Sequence, residues 1–98
     1  MYALLTMFTL GPGMRSTAEK LLEQFAPAIR SMKGFKSATF VGDDATGEYG
    51  ALSLWETKED AEASLAATGP ELEKALSGIV KGPPKRGVYE VWQVVEAG

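Results

Sequence analysis

The sequence predicts an α+β fold with a four-stranded antiparallel sheet and two helices on one of its faces. Apolar, β-forming stretches and helical patterns alternate along the 98 residues in the order β-α-β-β-α-β. A short loop of turn-forming residues separates the two middle strands, which favours a hairpin. Right-handed crossovers around such a hairpin lead to the ferredoxin-like arrangement. A chain of this length has room for one domain, residues 1–98.

The first strand and the first helix have clear boundaries in the sequence. The apolar run Tyr2 to Leu10 is typical of a strand, and Gly11-Pro12-Gly13 ends it. Ser16 and Glu19 have the spacing of a capping box, which predicts that the helix begins at Ser16. Its apolar stripe recurs at helical spacing and consists of Leu21, Leu22, Phe25, Ile29 and Met32. Gly34 is expected to end this helix as a left-handed cap.

The central part of the chain predicts the hairpin. Phe35 to Val41 is the second strand, and Glu48 to Glu56 is the third. The connecting segment, residues 42–47, consists of Gly, Asp, Ala and Thr and is typical of a loop.

The C-terminal third predicts an interrupted helix and a last strand. Thr57 and Asp60 give a second capping signal, for a helix from Lys58 to about Ala67. Gly69-Pro70 is expected to interrupt it before a further helical piece that reaches about Ile79. Gly82-Pro83-Pro84 forms a stiff link, and Val88 to Val95 is the last strand.

Both outer faces of the predicted sheet are apolar. Alternate residues of a strand point to opposite faces, so a sheet with one face in water should alternate apolar and polar residues. In the first strand one face carries Tyr2, Leu4, Phe8 and Leu10, and the other carries Ala3, Leu5 and Met7. The last strand carries Val88, Trp92 and Val94 on one face, and Tyr89, Val91 and Val95 on the other. The helices cover one face only, so we expect a homodimer through the second face.

Composition excludes several functional classes. The net charge of −3 provides no basic surface for nucleic acid or anionic lipid, and no apolar run is long enough to span a membrane. There is no cysteine and no histidine, which removes thiolate chemistry, the commonest general base and the commonest metal ligand. The apolar N-terminus lacks the basic flank of a signal peptide, so we expect a cytoplasmic protein. Because the commonest metal ligand is missing, we expect no metal site.

One segment carries a resemblance to a known family. The helix ending Gly34-Phe35, the hairpin leading into Glu48-Tyr49-Gly50, and above all residues 52–61, Leu-Ser-Leu-Trp-Glu-Thr-Lys-Glu-Asp-Ala, are similar to those of antibiotic biosynthesis monooxygenase-like proteins. The match covers essentially the whole chain in length and element order. The resemblance implies a dimeric α/β barrel with a pocket between each sheet and its helices. It also implies oxidation of fused-ring phenols by molecular oxygen without metal, flavin or other cofactor.

Haem-degrading relatives provide a contrast. They use an Asn on the first strand, a Trp on the third strand and a His on the second helix. Trp55 matches the Trp, Thr6 stands at the Asn position, and the chain has no His. Haem degradation by that arrangement is therefore not expected.

No catalytic residue can be named from the sequence, but a set of substrate-binding candidates can. Trp55 either stacks on a flat ligand or closes one end of the sheet. Thr6, on the face of Phe8, either orients a substrate oxygen or bonds to the backbone. Tyr49 and Ser53 share a strand face with Trp55; Tyr49 either donates a hydrogen bond to a ligand or has its ring in the core. The binding candidates are thus Trp55, Thr6, Tyr49, Ser53 and Phe8.

Charged residues give weaker indications. Glu90 is either a partly buried base or an exposed carboxylate at the sheet edge, with exposure favoured. The acidic cluster Asp43, Asp44 and Glu48 has no calcium-loop spacing and is expected to be solvated. Residues 85–86, Lys-Arg, either bind an acidic ligand group, pair across the dimer or are solvated, and we expect them to be solvated.

Three functions stay open. The first is a cofactor-independent monooxygenase acting on an apolar, aromatic or phenolic small molecule. The second is a non-oxidative isomerase or lyase, which needs an acid or base such as Glu90 or Tyr49. The third is a dimeric module that binds a small molecule without chemistry. RNA binding is set aside because the third strand contains no Lys or Arg.

Overall fold

The computed structural model describes all residues, 1–98, and confirms the ferredoxin-like arrangement. Its elements are β1 Tyr2–Thr9, α1 Arg15–Arg30, β2 Phe35–Asp43, β3 Glu48–Trp55, α2 Lys58–Leu76 and β4 Lys85–Glu90. The strands form one antiparallel sheet in the order β2-β3-β1-β4. Neither helix combines the length and the apolar composition that a membrane-spanning segment requires.

The register of the sheet aligns small and polar residues across its middle. Thr6 on β1 pairs with Ala51 on β3 and with Arg86 on β4. Leu4, two residues earlier on β1, pairs with Ser53 on β3. Paired residues of neighbouring strands point to the same face, so all of these side chains lie on the helix side of the sheet.

The core on the helix side is divided into two clusters. The larger cluster is made of residues from β1, β3 and both helices: Phe8, Leu10, Ala18, Leu21, Leu22, Tyr49, Leu72 and Leu76. The smaller cluster contains Leu4, Trp55 and Ala61, with Phe35 packed against it. Along β1, Leu4 belongs to one cluster and Phe8 to the other. Thr6 stands between them, so the apolar packing is interrupted at the level of Thr6.

Helix α1 begins differently from the prediction. The capping residue is Met14, without a side-chain cap, and Ser16 lies inside the first turn, so the predicted capping box is wrong. The backbone N–H of Met14 donates to the Tyr49 hydroxyl at 3.1 Å, and the N–H of Arg15 donates to Asp44 Oδ1 at 3.1 Å. Residues remote in sequence thus accept hydrogen bonds from the free N–H groups at the start of the helix, and the local sequence could not reveal these acceptors.

Helix α2 is continuous, so the predicted break at Gly69-Pro70 is wrong. Thr57 does cap the helix as predicted, because its hydroxyl accepts from the N–H of Asp60 at 3.1 Å. Thr68 and Leu72, on either side of Pro70, are both buried against the rest of the protein. This packing outweighs the one backbone hydrogen bond that a proline removes.

Gly34 adopts a left-handed conformation, with φ of 80°. Helix α1 ends earlier, at Arg30, and Gly34 lies in the turn that precedes β2. A Cβ atom at this position would collide with the Asp60 side chain at the start of α2. Glycine is therefore needed both for the backbone conformation and for the close approach of the helix.

Strand β4 spans Lys85–Glu90, so the prediction of Val88 to Val95 is wrong at both ends. It pairs only with β1, whose first residue, Tyr2, lies opposite Glu90. The last bond of this ladder runs from the N–H of Val91 to the Met1 carbonyl at 2.9 Å. Beyond that point no strand residue of β1 remains to pair with, and Trp92 is 83% exposed.

The second face of the sheet carries no helix. Its side chains are largely apolar and are exposed or half-buried: Leu5, Met7, Val41, Leu52, Leu54 and Tyr89. We call this set the open face. The prediction that the helices cover only one face is confirmed by this arrangement.

Candidate functional site

A cavity lies between the two core clusters, with the sheet on one side and the helices on the other. All six elements contribute to its wall, which is mostly apolar: Leu4, Leu22, Phe25, Ile29, Ala38, Phe40, Ala51 and Leu72. The remaining lining residues carry hydroxyl groups or a charge: Thr6, Ser53, Ser64, Thr68 and Arg86. Its volume is about 50 Å³. Pockets that hold drug-sized ligands usually measure about 300–1,000 Å³, so this one is far smaller than a typical ligand pocket.

The polar wall of the cavity is organised by Arg86. From β4 its side chain crosses the helix side of the sheet and reaches α2. Nε donates to the Thr6 hydroxyl at 3.0 Å, and Nη2 donates to the Thr68 hydroxyl at 2.9 Å. Nη1 donates to the Leu65 carbonyl at 3.2 Å. Arg86 therefore connects β1 and α2, and its head group forms part of the cavity wall.

The charge of Arg86 has no negative partner in the protein. The chain's two ion pairs involve other residues, and no Asp or Glu lines the cavity. Burial lowers the pKa of Arg86, and no carboxylate is close enough to oppose that shift. An arginine in a protein stays protonated at neutral pH. The cavity thus contains one positive charge held by neutral acceptors.

The expectation that Lys85 and Arg86 are both solvated is wrong for Arg86. Lys85 is exposed on the opposite face, whereas Arg86 is half-buried. The sequence did contain an indication of this position, because Arg86 is two residues from Val88 and therefore lies on the same face of a strand. The predicted strand began at Val88, however, so that Arg86 was assigned to the link after Pro83-Pro84.

Trp55 is fully buried beside the cavity rather than on its wall. Its indole N–H donates to Ser53 Oγ at 2.9 Å, and Ser53 Oγ lies 3.4 Å from the Leu4 carbonyl. The ring packs edge-on against Phe35, with centroids 5.5 Å apart. The indole N–H is therefore engaged by the protein, and only Ser53 of this pair lines the cavity.

Tyr49 and Phe8 lie in the larger core cluster, away from the cavity wall. The Tyr49 hydroxyl donates to Asp44 Oδ1 at 2.5 Å and accepts from the Met14 N–H. Burial, and then the hydrogen bond to Asp44, raise the pKa of Tyr49. Asp44 is exposed to solvent, as expected for the acidic cluster, and it also accepts hydrogen bonds from Tyr49 and from the start of α1.

The structure brings together two of the five predicted binding residues, Thr6 and Ser53, on the cavity wall. Substrate binding by any of the five stays a prediction. Glu90 is exposed and does not line the cavity, so it has no position from which to act as its base. The structure has no group of three or more acidic side chains placed to hold a metal ion.

Sequence reasoning missed Ser64, Thr68 and Phe40, and it considered Arg86 as a residue that binds an acidic ligand group but favoured a solvated side chain. Ser64 and Thr68 are four residues apart and line the cavity from α2, which the spacing of small polar residues in a helix could have indicated. Phe40 reaches the cavity from the edge strand β2 and is 40% exposed. Its exposure places it between the cavity and solvent.

Comparison with known proteins shows which family and which solved structures this chain resembles. The model of the antibiotic biosynthesis monooxygenase family matches residues 1–71. No curated protein matches the sequence. The N63A mutant of SnoaB, a cofactor-independent oxygenase from Streptomyces nogalater, gives a TM-score of 0.77 at 19% identity, over 98% of this chain and 97% of that one.

Two further solved structures share the fold. The monooxygenase from the gene ActVA-Orf6 of Streptomyces coelicolor, in complex with nanaomycin D, gives a TM-score of 0.75 at 24% identity, over 99% of this chain and 92% of that one. A Deinococcus radiodurans protein gives a TM-score of 0.80 at 19% identity, over 100% and 99%. At these identities the likeness establishes a common fold.

Proposed function

The chain belongs to the antibiotic biosynthesis monooxygenase family, and we propose that it is a cofactor-independent monooxygenase acting on an apolar, aromatic phenol. The observation that carries the proposal is the cavity between sheet and helices, apolar except for one hydroxyl- and arginine-bearing wall. Such a cavity can exclude water and still orient one oxygen atom of a flat ligand. SnoaB, which shares the fold, is a cofactor-independent oxygenase.

The chemistry needs no oxidant other than molecular oxygen. A substrate with a methylene group conjugated to an electron-rich phenol loses a proton, and the resulting anion reduces O₂ while a carbon–oxygen bond forms. The peroxide takes up a proton and then loses water, with cleavage of the second C–H bond, to leave a carbonyl. The methylene carbon loses four electrons and O₂ accepts four; one oxygen atom ends in the product and the other in water. The protein orients the anion and excludes solvent.

The size of the cavity limits how the substrate enters. At about 50 Å³ the cavity must widen before it can hold a fused-ring molecule. Phe40, on the edge strand β2, and Phe25, on α1, line the cavity and are not fully buried. We propose that outward rotation of Phe40 admits the ligand, because an exposed side chain on an edge strand has little packing to lose.

Oxygen uptake tests the proposed function. An anthrone-type phenol is supplied to the purified protein with a metal chelator present, and uptake is compared with that of Ala51→Leu, whose larger side chain fills the cavity. The matched control is Ala63→Leu on the exposed side of α2. We expect uptake by the wild type and by Ala63→Leu, and uptake at background level by Ala51→Leu. Oxygen uptake by Ala51→Leu equal to that of the wild type would show that the reaction does not take place in this cavity.

A non-catalytic binding module is the second candidate. It is favoured by the absence from the cavity wall of any residue that titrates near neutral pH. The isomerase or lyase alternative lacks support for the same reason, since both Glu90 and Tyr49 lie off the wall. Binding of the phenol without oxygen uptake would favour the module.

We also propose that the open face is covered by a second copy of this chain, giving a dimeric barrel. Met7 lies near the centre of that face, and Val91 comes directly after β4, the strand at the edge of the sheet. Met7→Lys or Val91→Lys should convert dimer to monomer or aggregate, as measured by light scattering, because a lysine there would be buried without a partner. Ala63→Lys, on the exposed side of α2, is the control. Intact dimers from both open-face variants would contradict the assignment.

A further inference from the structure

We propose that the cavity binds its ligand as an oxyanion, a phenolate or enolate, and that Arg86 is the residue that recognises the negative oxygen. The inference rests on the proposed function for the location of the ligand and deepens it by naming the charge state. Arg86 lies beyond residues 1–71, so it is outside the part of the chain that matches the family model.

The guanidinium of Arg86 has donors left over. An arginine side chain carries five N–H groups. Three of its donors reach acceptors in the protein, at Thr6, Leu65 and Thr68. The two remaining N–H groups belong to Nη1 and Nη2, at the head of a side chain that lines the cavity. These two N–H groups are left to donate hydrogen bonds to a ligand oxygen, which accepts them.

The charge of Arg86 is also uncompensated. The groups that face the guanidinium are the Thr6 hydroxyl from β1 and the Thr68 hydroxyl and Leu65 carbonyl from α2, none of which ionises in the neutral range. Withdrawal from water lowers the pKa of Arg86, and no carboxylate offsets this effect. Burying a charge is unfavourable unless a partner of opposite sign is supplied. An anionic ligand supplies that partner.

The arrangement accounts for the absence of a base at the cavity. No carboxylate lines the wall, and the chain has no histidine to accept a substrate proton. A fixed positive charge beside the ligand oxygen favours the deprotonated form and so lowers the pKa of the bound phenol. The proton can then leave to water before or during binding. Arg86 would act by setting the charge of the substrate rather than by proton transfer.

A purely structural role for Arg86 has different consequences. As a connection between β4, β1 and α2, Arg86 would stabilise the protein and leave the protonation of a bound phenol unchanged. A measurement of the protonation of the bound ligand therefore separates the two roles, because it does not depend on the stability of the protein.

The probe is 4-nitrophenol, whose phenolate absorbs visible light while the neutral phenol does not. Titrating pH with and without saturating protein gives the apparent pKa of the bound phenol. We expect binding to lower that pKa by about one unit or more, which corresponds to about tenfold or greater preference for the anion. Nitrobenzene, the neutral analogue, reports whether the cavity admits a nitro-substituted ring at all.

Three variants complete the test. Arg86→Met should remove the preference for the phenolate while retaining nitrobenzene binding. Arg86→Lys should retain part of the preference, because it keeps the charge but not the paired donors. Arg30→Met, at the exposed end of α1, should behave as the wild type. Each variant is first checked for the wild-type circular dichroism spectrum.

The outcomes distinguish the two proposals. Equal binding of nitrobenzene and phenolate, with no change in the phenol's pKa, would overturn the role of Arg86 and leave the cavity as a binding site. An anion preference that persists in Arg86→Met would also overturn it. Failure of both probes to bind the wild type would contradict the ligand cavity itself, and with it the proposed function.

Discussion

Two polar side chains on the helix side of the sheet, the buried Trp55 and the half-buried Arg86, differ in how fully the protein satisfies their donors. Trp55 has one donor, and that donor is bound to Ser53 in a fully buried pair. Arg86 has five donors and a charge, and the protein supplies it with three neutral acceptors. Trp55 lies behind the cavity wall, whereas Arg86 forms part of it.

The difference shows how a structural polar group is told from one that is available to a ligand. A satisfied donor among apolar neighbours contributes to stability and has nothing left to offer. A charge with free donors at a cavity reduces what burial could contribute to stability, and that cost is recovered only when an anion binds. The comparison predicts opposite effects of substitution at the two positions, on stability and on ligand binding.

The largest effect on stability is expected from Trp55→Ala. Removing a fully buried indole leaves a cavity in the smaller core cluster, which should lower the free energy of unfolding by about 3–5 kcal/mol. Denaturant titration measures it. Trp92→Ala removes the same side chain from a site that is 83% exposed and serves as the control. If Trp55→Ala lowers the free energy of unfolding by less than an ordinary surface substitution does, the structural role of Trp55 is contradicted.

A smaller effect is expected from Ser53→Ala. The substitution leaves the indole N–H of Trp55 buried without an acceptor, which should cost about 1–3 kcal/mol. In the Trp55→Phe background, where that donor is absent, the same change should cost less. Additive losses in this double-mutant cycle would show that the two side chains do not act as a pair.

Arg86→Met should change stability least. Replacing a half-buried charge without a negative partner by an apolar side chain of similar length removes a desolvation cost, which offsets the three hydrogen bonds that are lost. The free energy of unfolding should therefore change by less than about 1 kcal/mol in either direction. The same denaturant titration applies, with Arg30→Met as the surface control. A loss as large as that of Ser53→Ala would assign Arg86 to the structural class and weaken the contrast with Trp55.

Tyr49 extends the comparison to an effect confined to alkaline pH. Burial, with the hydrogen bond to Asp44, raises the pKa of Tyr49, whereas a tyrosine in the unfolded chain loses its proton at about pH 10. Above that pH the native state retains a proton that the unfolded state has lost, so stability falls as pH rises through the native pKa.

Tyr49→Phe should remove this part of the alkaline decline, and Tyr89→Phe, at an exposed tyrosine, should not. Thermal unfolding across the alkaline range measures both, each relative to its own value at neutral pH. An identical alkaline slope in the wild type and Tyr49→Phe would contradict the coupling.

The sequence predicted part of the candidate site. Alternation placed Thr6 on the face of Phe8 in β1, and Ser53 on the face of Trp55 in β3; the pairing of the two strands then shows that these faces are the same side of the sheet. It could not show that the indole donor would be taken by Ser53, because that bond depends on the rotamers of both residues. Arg86 was expected to be solvated because strand β4 begins before its apolar residues, next to two prolines that obscure its start.

The errors in the fold have one origin. The start of α1, the continuity of α2 and the limits of β4 all depend on residues far away in sequence: Asp44 and Tyr49, the packing around Leu72, and the pairing with β1. Signals that are local, such as the Thr57 cap and the central hairpin, were predicted correctly. The division into one domain and the cytoplasmic location stay predictions.

By itself the sequence determined the order of elements and the apolar character of both faces of the sheet, since these follow from periodicity along the chain. Only the tertiary structure decided that a cavity is left between the two core clusters, and that Arg86 reaches it from β4. The reason is physical. A cavity is the space left where side chains from six elements fail to meet, and no local pattern records that.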